Sequence, residues 1–371
     1  MVRVRACLAA CLLWCLSLAA AAATSPPFHL DVRVIEAGAG LHDLVPIGFN
    51  NLGQVVGHAS RQDGSRAVFL YEGGQMRELA ALSAIGATVA DINNVGQIVG
   101  QAGNRAFLYG AGTVSYFHDS DYRASAALGI NDAGVATGWA QQGDVHSRQT
   151  VRFEHGSVID AGTFDDPDMG GPYQFGSTYG IDINERGDII GDGAHDSGYS
   201  LGFILYANGN LAIPHLDSIR YAELLDINNA GDAVGIGDTL DAGPHALLFR
   251  NGVSYDLTPG LEGGSHANAI NNVGQILGGL TLWDSDGTPY SLNDLLPDDS
   301  PWMTAIGADL LNDSGQIVGR VCTGEYTGCV WALLTPVPEP SGVAMLSGGM
   351  LALGVLGLRR RLKLPARLRP A

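Results

Sequence analysis

The stretch DINNVGQIVG, Asp91–Gly100, has the composition of a β-hairpin. The isoleucines on either side of its centre are β-branched and suit strands. Asn93 can hydrogen-bond the backbone two residues on and so start a turn. Gly96 supplies the positive φ that such a turn needs near its end, and Gly100 lets the second strand pack closely against a neighbour. The stretch therefore predicts two strands joined by the turn NNVG.

This hairpin recurs seven times along the 371-residue chain, as the pattern Asn-x-x-Gly-x-x-x-Gly. Successive copies begin 43, 38, 53, 44, 43 and 41 residues apart. A repeat of nearly fixed length predicts an architecture built from one unit. The predicted turn residues of the seven copies are Asn50 and Gly53, Asn93 and Gly96, Asn131 and Gly134, Asn184 and Gly187, Asn228 and Gly231, Asn271 and Gly274, and Asn312 and Gly315.

A second hairpin follows each of the first six copies, as an apolar strand, a turn containing Gly and another strand. These segments are residues 66–79, 105–117, 151–160, 202–213, 245–257 and 280–292. One unit is therefore four strands in about 44 residues, which is the blade of a β-propeller. Blades pack face to face, which explains apolar runs such as QIVG and AFLY. The absence of helical periodicity excludes helical repeats.

The ends of the repeat region predict that the ring closes on itself. Residues 28–36 read as a lone fourth strand, and residues 329–335 read as a lone third strand. Paired with each other, they complete a seventh blade and remove the open sheet edges that invite aggregation. The sequence thus predicts an all-β, seven-bladed propeller over residues 24–336. Six or eight blades remain alternatives, because the 53-residue interval contains an insertion around 163–180.

The amino-terminal residues 1–23 combine two arginines with an apolar stretch and small residues, which is typical of a secretory signal peptide. Three of the five cysteines lie in it, which leaves Cys322 and Cys329. An even pair around a short loop in an exported protein predicts a disulfide, with two reduced thiols as the alternative. Closing so small a loop contributes about 2–3 kcal/mol.

Residues 24–336 are strongly acidic, with 37 Asp and Glu, 12 Arg and no Lys, a formal charge of −25. Binding of nucleic acid requires cationic groups that neutralise phosphates, so this charge argues against a nucleic-acid partner. It also argues against binding to an anionic membrane surface. A solvated acidic surface that keeps an exported protein soluble is the simplest interpretation.

The carboxyl-terminal residues 337–371 have the pattern of a membrane segment. Residues 342–358 are apolar, and as a helix they would reach about 26 Å, a marginal membrane span. Arg359, Arg360 and Arg361 follow at once, and the positive-inside rule places that end in the cytoplasm. The sequence therefore predicts a transmembrane helix with the repeat domain outside.

This tail resembles the PEP-CTERM sorting signal of exopolysaccharide-producing Gram-negative bacteria. Pro338, Glu339 and Pro340 precede the apolar span, and the arginine cluster follows it. The resemblance covers about the last 30 residues and implies recognition by an exosortase, removal of the tail and release to the cell surface or matrix. A permanent membrane anchor is the alternative.

The repeats resemble the HAF family of predicted extracellular repeats, named after a His-Ala-Phe triplet. The matching triplets begin at His245, Arg105 and Arg66, and none of them is complete. The resemblance therefore depends mainly on the Asn-x-x-Gly-x-x-x-Gly pattern. It covers nearly the whole repeat region and implies fold more than function.

Candidate chemical groups are few. Asp192, His195, Asp196 and Ser197 lie together in a Gly-rich loop, but members of a triad converge from separate segments. The insertion contains a possible carboxylate set for glycoside hydrolysis, and the loop WDSDGTPY contains one for calcium, the only cofactor left open. A solvated acidic loop is the simpler interpretation of both. The two sets are Asp165, Asp166 and Asp168, and Asp284 and Asp286.

These features predict an exported, non-enzymatic protein of the cell surface or exopolysaccharide matrix, binding glycan or protein. The expected partners are the exosortase during processing and an exopolysaccharide or surface protein afterwards. A carbohydrate-active hydrolase or lyase, with acidic residues in the insertion or the central funnel, is the alternative. A structural spacer that binds nothing is the third hypothesis.

Overall fold

The computed structural model describes residues 28–118, 121–143, 148–161, 177–194, 200–214, 219–239, 243–259, 264–302, 304–324 and 328–338. These residues form seven four-stranded sheets, and one edge strand of each sheet lines a common centre. The predicted seven-bladed propeller of four-stranded blades is therefore confirmed.

Each of the first six blades uses four consecutive antiparallel strands, and a five-residue helix, α1 (Ala80–Ala84), leads from blade 1 to blade 2. Blade 1 is β2 (Leu41–Phe49), β3 (Val55–Arg61), β4 (Arg66–Glu72) and β5 (Gln75–Glu78); blade 2 is β6 (Thr88–Ile92), β7 (Ile98–Ala102), β8 (Arg105–Gly110) and β9 (Thr113–Tyr116); blade 3 is β10 (Tyr122–Ile130), β11 (Ala136–Gln142), β12 (Arg148–Glu154) and β13 (Ser157–Asp160). Blade 4 is β14 (Ser177–Ile183), β15 (Ile189–Ala194), β16 (Ser200–Leu205) and β17 (Leu211–Ala212); blade 5 is β18 (Ile219–Ile227), β19 (Ala233–Thr239), β20 (Gly243–Arg250) and β21 (Val253–Asp256); blade 6 is β22 (Ala269–Ile270), β23 (Ile276–Gly278), β24 (Thr281–Trp283) and β25 (Pro289–Ser291).

Blade 7 joins the two ends of the repeat region, as the sequence predicts. Its strands are β26 (Thr304–Leu311), β27 (Ile317–Cys322), β28 (Val330–Pro338) and, outermost, β1 (Phe28–Val34). The amide of Ile35, just after β1, donates to the carbonyl of Trp331 in β28 at 2.8 Å. β28 continues two residues beyond the domain end predicted at residue 336.

The compact propeller unit runs from Leu30 to Thr335. A second unit comprises residues 1–29 and 336–371, and only five of its residues are described. The predicted signal peptide and the apolar span 342–358 lie outside the described residues. Within the described part of the chain, no helix is long and apolar enough to span a bilayer.

The core lies between adjacent sheets. Val56 and Leu70 of blade 1, for example, pack in one cluster with Val89 and Phe107 of blade 2. Both faces of a blade are covered in this way, which explains why apolar residues run together along the second and third strands. Burying them between neighbours is the main force that closes the ring.

Five aromatic residues of the third strands belong to this core. They occupy one register position, opposite the first residue of the second strand, and are Tyr71, Tyr109, Phe153, Phe249 and Trp283. The sequence places Tyr206 in the same recurring set, and recurrence in register predicts packing between blades, with a sugar-stacking ring as the alternative. In the structure Leu205 takes that register in blade 4 and Tyr206 lies one residue further on. The alternative of a sugar-stacking ring is not supported by these positions, because Tyr71, Phe153 and Phe249 are buried.

The second glycine of the repeat is needed for close packing in blades 1 to 6, whereas Gly319 of blade 7 has slightly more room. The first strand of blade 2 has a register shift between Val89 and Asp91. This irregularity moves the carbonyl of Thr88 over Gly100, so that a Cβ on Gly100 would overlap the carbonyl oxygen. Equivalent overlaps occur with a Cβ at Gly138 and at Gly235. A glycine is required here by the absence of space rather than by its backbone angles.

Candidate functional site

The repeated asparagine lies where the first strand of each blade ends, facing the centre of the ring. In blade 2, the Oδ1 of Asn93 accepts hydrogen bonds from the amides of Val95 at 3.2 Å and Gln97 at 2.8 Å. Gly96, with φ of 77°, closes the same turn by donating to the carbonyl of Asn93 at 3.1 Å. The side chain thus forms the local turn that the sequence predicts.

The other half of the same side chain connects adjacent blades. The Nδ2 of Asn93 donates to Gln97 Oε1 at 2.8 Å and to the backbone carbonyl of Asn131 in blade 3 at 2.9 Å. All seven asparagines are buried and make the equivalent bond to the next blade, at 2.9–3.2 Å. The last of these joins blade 7 to blade 1, from Asn312 to Asn50. We call this closed circle the amide ring; its members are Asn50, Asn93, Asn131, Asn184, Asn228, Asn271 and Asn312.

A second closed circle lies one residue further along each turn. Here the side-chain oxygen of one blade accepts a hydrogen bond from the backbone amide of the preceding blade, at 2.7–2.9 Å throughout. Every member is Asn, Asp or Glu, and each therefore supplies a carbonyl or carboxylate oxygen as the acceptor. We call it the mouth ring; its members are Asn51, Asn94, Asp132, Glu185, Asn229, Asn272 and Asp313.

The two rings and the ends of the first strands enclose a central channel of about 540 Å³. Among the described residues, its lining includes seven acidic residues and no Lys, Arg or His. Three of the acids belong to the mouth ring; the other four lie on the first strands and are Asp91, Asp182, Asp226 and Asp309. The channel is therefore a polar space of strongly negative potential, suited to cations and to hydrogen-bond donors.

Two of these carboxylates bridge adjacent blades. Asp91 accepts from the amide of Ile92 at 2.7 Å and from that of Ile130 in blade 3 at 3.0 Å. Burial, together with the carboxylates of other blades, raises the pKa of Asp91 to about 6 despite these bonds. Asp226 bridges blades 5 and 6 in the same way, with the amide of Ile270 at 2.7 Å.

Asp182 and Asp226 form a hydrogen-bonded carboxyl pair in the channel. Burial is the main cause that raises the pKa of both, and the negative charges of Asp226 and Asp91 raise that of Asp182 further. Two carboxyl groups in contact repel each other when both are ionised, so the pair keeps one shared proton more readily than an isolated carboxyl group does. We call Asp91, Asp182 and Asp226 the channel carboxyls.

Sequence inspection overlooked the channel carboxyls, although a signal was present. Each lies two residues before the asparagine of its repeat, in the tripeptide Asp-Ile-Asn, which occurs in three of the seven copies. The other copies have Gly48, Gly129, Ala269 and Leu310 at this position. The carboxyl of Asp182 occupies the space next to Gly129, where a Cβ would lie 2.7 Å from Asp182 Oδ1.

Other candidate residues have local structural roles. Cys322 and Cys329 form a disulfide between β27 and β28. Asp192 accepts a hydrogen bond from the hydroxyl of Tyr179 at 2.9 Å and from the amide of Gly193. Pro338 is the last residue of β28. The remaining candidates lie outside the described residues; they are His195, Asp196, Ser197, Asp165, Asp166, Asp168, Glu339, Pro340, Arg359, Arg360 and Arg361.

The suggested calcium loop is a tight turn between β24 and β25. Asp284 Oδ1 accepts from the amide of Ser285 at 2.8 Å, and Asp286 Oδ1 accepts from that of Thr288 at 2.9 Å. The described residues contain no group of three or more His, Cys, Asp or Glu placed to hold a metal ion. Calcium binding at this turn stays a prediction.

No protein-family model and no curated protein matches the sequence. Among solved structures, the chain is similar to a gluconolactonase from Xanthomonas campestris, with 13% identity and a TM-score of 0.37 over 85% of this chain and 96% of that chain. It is also similar to TolB from Acinetobacter baumannii, with 8% identity and a TM-score of 0.39 over 84% of this chain and 63% of that one. A Trypanosoma rangeli sialidase matches with 10% identity and a TM-score of 0.34, over 89% of this chain and 58% of that one. Similarities at this level do not extend to activity, and the fold is established by the seven sheets themselves.

Proposed function

We propose that the protein is an exported, non-enzymatic binding protein of the cell surface or exopolysaccharide matrix, which takes a glycan or protein ligand at the mouth of its channel. The observation that carries the proposal is the channel itself, about 540 Å³ in volume and lined by amide and carboxylate groups. Pockets of this size with convergent polar groups are the usual binding sites of closed scaffolds. The hydrogen bonds of the two rings that surround it position the groups that would face a ligand.

Export is part of this proposal and is supported by the sequence of the two ends. Residues 1–23 would direct secretion, and residues 337–371 would be recognised by an exosortase. Replacement of Pro338, Glu339 and Pro340 by alanine is expected to leave the tail attached and the protein in the membrane fraction. Immunoblotting of cell and medium fractions measures this, and unchanged release would contradict exosortase processing.

A binding experiment tests the proposed activity. The purified protein is incubated with the polysaccharide of the producing bacterium, and both co-sedimentation and new reducing ends are measured. Co-sedimentation without new reducing ends supports a binding protein. Absence of both, with this polysaccharide and with surface proteins of the producer, would leave the structural spacer as the answer.

A matched pair of variants locates the binding site. Asn229 belongs to the mouth ring and is exposed, whereas Asn208 is an exposed asparagine in the turn between β16 and β17. We expect Asn229→Trp to cover part of the mouth and weaken binding about tenfold or more, a change of about 1.4 kcal/mol. Asn208→Trp should bind like the unmodified protein. Equal binding by both variants would place the site elsewhere.

A carbohydrate-active hydrolase is the second candidate, because burial raises the pKa of both carboxyl groups of the Asp182–Asp226 pair inside the channel. A carboxyl group with a raised pKa can act as a general acid in glycoside hydrolysis. New reducing ends in the incubation, lost in Asp182→Asn and in Asp226→Asn while both variants keep their melting temperatures or exceed them, would favour the enzyme over the binding protein.

A further inference from the structure

The turns that carry the mouth ring also expose apolar side chains beside the channel. Leu52, Val95 and Val273 occupy the same repeat position, two residues after the ring asparagine, and are 57–67% exposed. They belong to blades 1, 2 and 6, and blade 7 contributes Ser314 between them. We call this set the apolar arc. Exposed apolar residues that cluster at one edge of a cavity mark an interaction surface more often than single ones do.

A shallow groove of about 410 Å³ continues outward from the arc over blade 2. Val95 belongs to both features, and Leu108 and Ala111 give the groove an apolar wall. The arc lies one residue beyond the mouth ring in the same turns, and the groove extends from Val95 over β8 and β9, so the two features form an elongated path beside the channel mouth. A path of this shape fits an extended chain better than a compact ligand.

The negative charge of the mouth ring favours an extended ligand that carries positive charge. Asp132 and Glu185 are adjacent members of the mouth ring, and Asp313 lies beside the arc. The only basic side chain at the arc's repeat position is Arg186, whose guanidinium is paired with Asp188 at 2.6 Å. Each acid uses one oxygen for a backbone amide, and the second oxygens of Asp132 and Asp313 also accept from side-chain amides of the ring, at 2.7–2.9 Å. A carboxylate oxygen can accept more than one hydrogen bond, and the negative charge of all three acids attracts a cationic partner.

We propose that the apolar arc, the groove of blade 2 and the acidic mouth form a docking surface for a polypeptide segment with Lys or Arg next to aliphatic side chains. The cation lies over Asp132, Glu185 or Asp313, and the aliphatic groups pack on Leu52, Val95 or Val273. The inference deepens the proposed function by choosing protein over glycan. An anionic polysaccharide is repelled by the mouth, and the arc offers none of the aromatic faces on which sugars usually stack.

The inference is tested by measuring the binding of defined peptides to the full-length protein. The probe is a fluorescein-labelled Leu-Lys-Val-Arg-Leu amide; one comparison peptide has Glu for both basic residues, and the other has Gly for the three aliphatic ones. Fluorescence anisotropy is expected to show binding at least about tenfold tighter for the probe than for either comparison peptide, and weaker binding at higher salt. Equal binding of the acidic peptide would overturn the inference.

Two triple variants assign the binding to the surface. Leu52→Ser, Val95→Ser and Val273→Ser remove the arc without touching the core and should weaken probe binding about tenfold or more. Ile159→Ser, Val253→Ser and Tyr255→Ser alter residues that are 44–49% exposed on the outer strands of blades 3 and 5, away from the groove of blade 2, and should change nothing. Melting curves verify that both variants fold. Equal affinity of the two variants would contradict the docking surface.

The outcome is separable from that of the proposed function. If the probe fails to bind while the polysaccharide binds and Asn229→Trp abolishes that binding, the channel face is a glycan site and the inference alone falls. If neither ligand binds, with surface proteins of the producer also negative, both proposals fall. Binding of the probe with no polysaccharide binding supports both.

Discussion

The amide ring and the channel carboxyls lie two residues apart on the same strands, yet they obey different rules. The amide ring is present in all seven blades, is neutral, and uses its oxygen within one blade and its nitrogen towards the next. The carboxyls occur in three blades and are held in a protonation state that depends on their neighbours.

The residues that close the ring of blades are therefore different from the residues that determine the chemistry of the channel. A position that must be filled in every blade is set by the geometry of the repeat, because each blade has to bind the next. A position that varies from Asp to Gly, Ala or Leu is free of that requirement. The chemical character of the channel therefore comes from the positions that do not repeat.

The largest expected effect comes from breaking the amide ring. Asn93→Ala removes the acceptor of the Val95 and Gln97 amides and the donor to the carbonyl of Asn131. Because these groups are buried or partly buried and lose their partners, we expect a loss of about 2–4 kcal/mol in the free energy of unfolding. Chemical denaturation at pH 7 measures it.

Asn208 supplies the control for that prediction. Its Oδ1 accepts from the amide of Asn210 at 2.9 Å in an exposed turn, so it forms a local turn without joining two blades. Asn208→Ala should cost no more than about 1 kcal/mol. If the two variants were equally destabilised, the contribution of the asparagines would be local, and the ring between blades would contribute little.

Much of the fold could be predicted from the sequence, because the same hairpin pattern occurs seven times. Hairpins, blade count and closure by the two end strands all depend on local turn chemistry and on strand number. The interblade role of Asn93 could not be predicted, because turn formation already accounts for its oxygen and nothing in the sequence says where its nitrogen points. The channel carboxyls were missed for a related reason, since the sequence does not show that residues 91, 182 and 226 face one centre.

His58 provides a smaller effect, which has to be separated from that of the channel. It lies in β3, 5% exposed, and burial together with the charge of Arg66 lowers its pKa to about 4. The unfolded chain therefore binds the proton more readily, and stability is lost as the pH falls from about 6.5 towards 4. The expected loss is about 1–2 kcal/mol by pH 5, measured by urea denaturation at a series of pH values.

Gln101 occupies the equivalent register position in blade 2, which makes His58→Gln a replacement already used in this chain. The variant has no proton to gain at this position, so it should not show the loss that the histidine causes between pH 6.5 and 5. Only the opposite change, a gain in stability from the channel carboxyls as the pH falls, should remain. A loss as steep as that of the unmodified protein would mean that the acid sensitivity originates elsewhere.

The smallest expected effect has the opposite sign and tests the channel carboxyls directly. Because burial raises the pKa of Asp182, the folded state binds a proton that the unfolded chain has already released. Stability is therefore lost as the pH rises above the ordinary range of a carboxyl group, near 4. Asp182→Asn replaces the shared proton by a permanent N–H facing Asp226. We expect it to be more stable than the unmodified protein at pH 8, by about 1 kcal/mol or more, and less dependent on pH.

Charged groups from several blades act on this pair, so the control has to lie outside the channel. Asp226 and Asp91 act on Asp182, and Asp313 of the mouth ring acts on Asp226. Asp286 is an exposed turn carboxylate whose pKa is lowered by hydrogen bonds from Thr288, so Asp286→Asn should not raise the free energy of unfolding at any pH.

Stabilisation by Asp182→Asn alone would show that the channel carboxyls destabilise the closed ring that the amide ring stabilises. Such a cost is tolerated in folded proteins mainly where a site needs the group, which would make the channel the place to look for the ligand. A loss of stability at pH 8 would mean instead that the pair belongs to the scaffold, and the distinction between the two sets of residues would disappear.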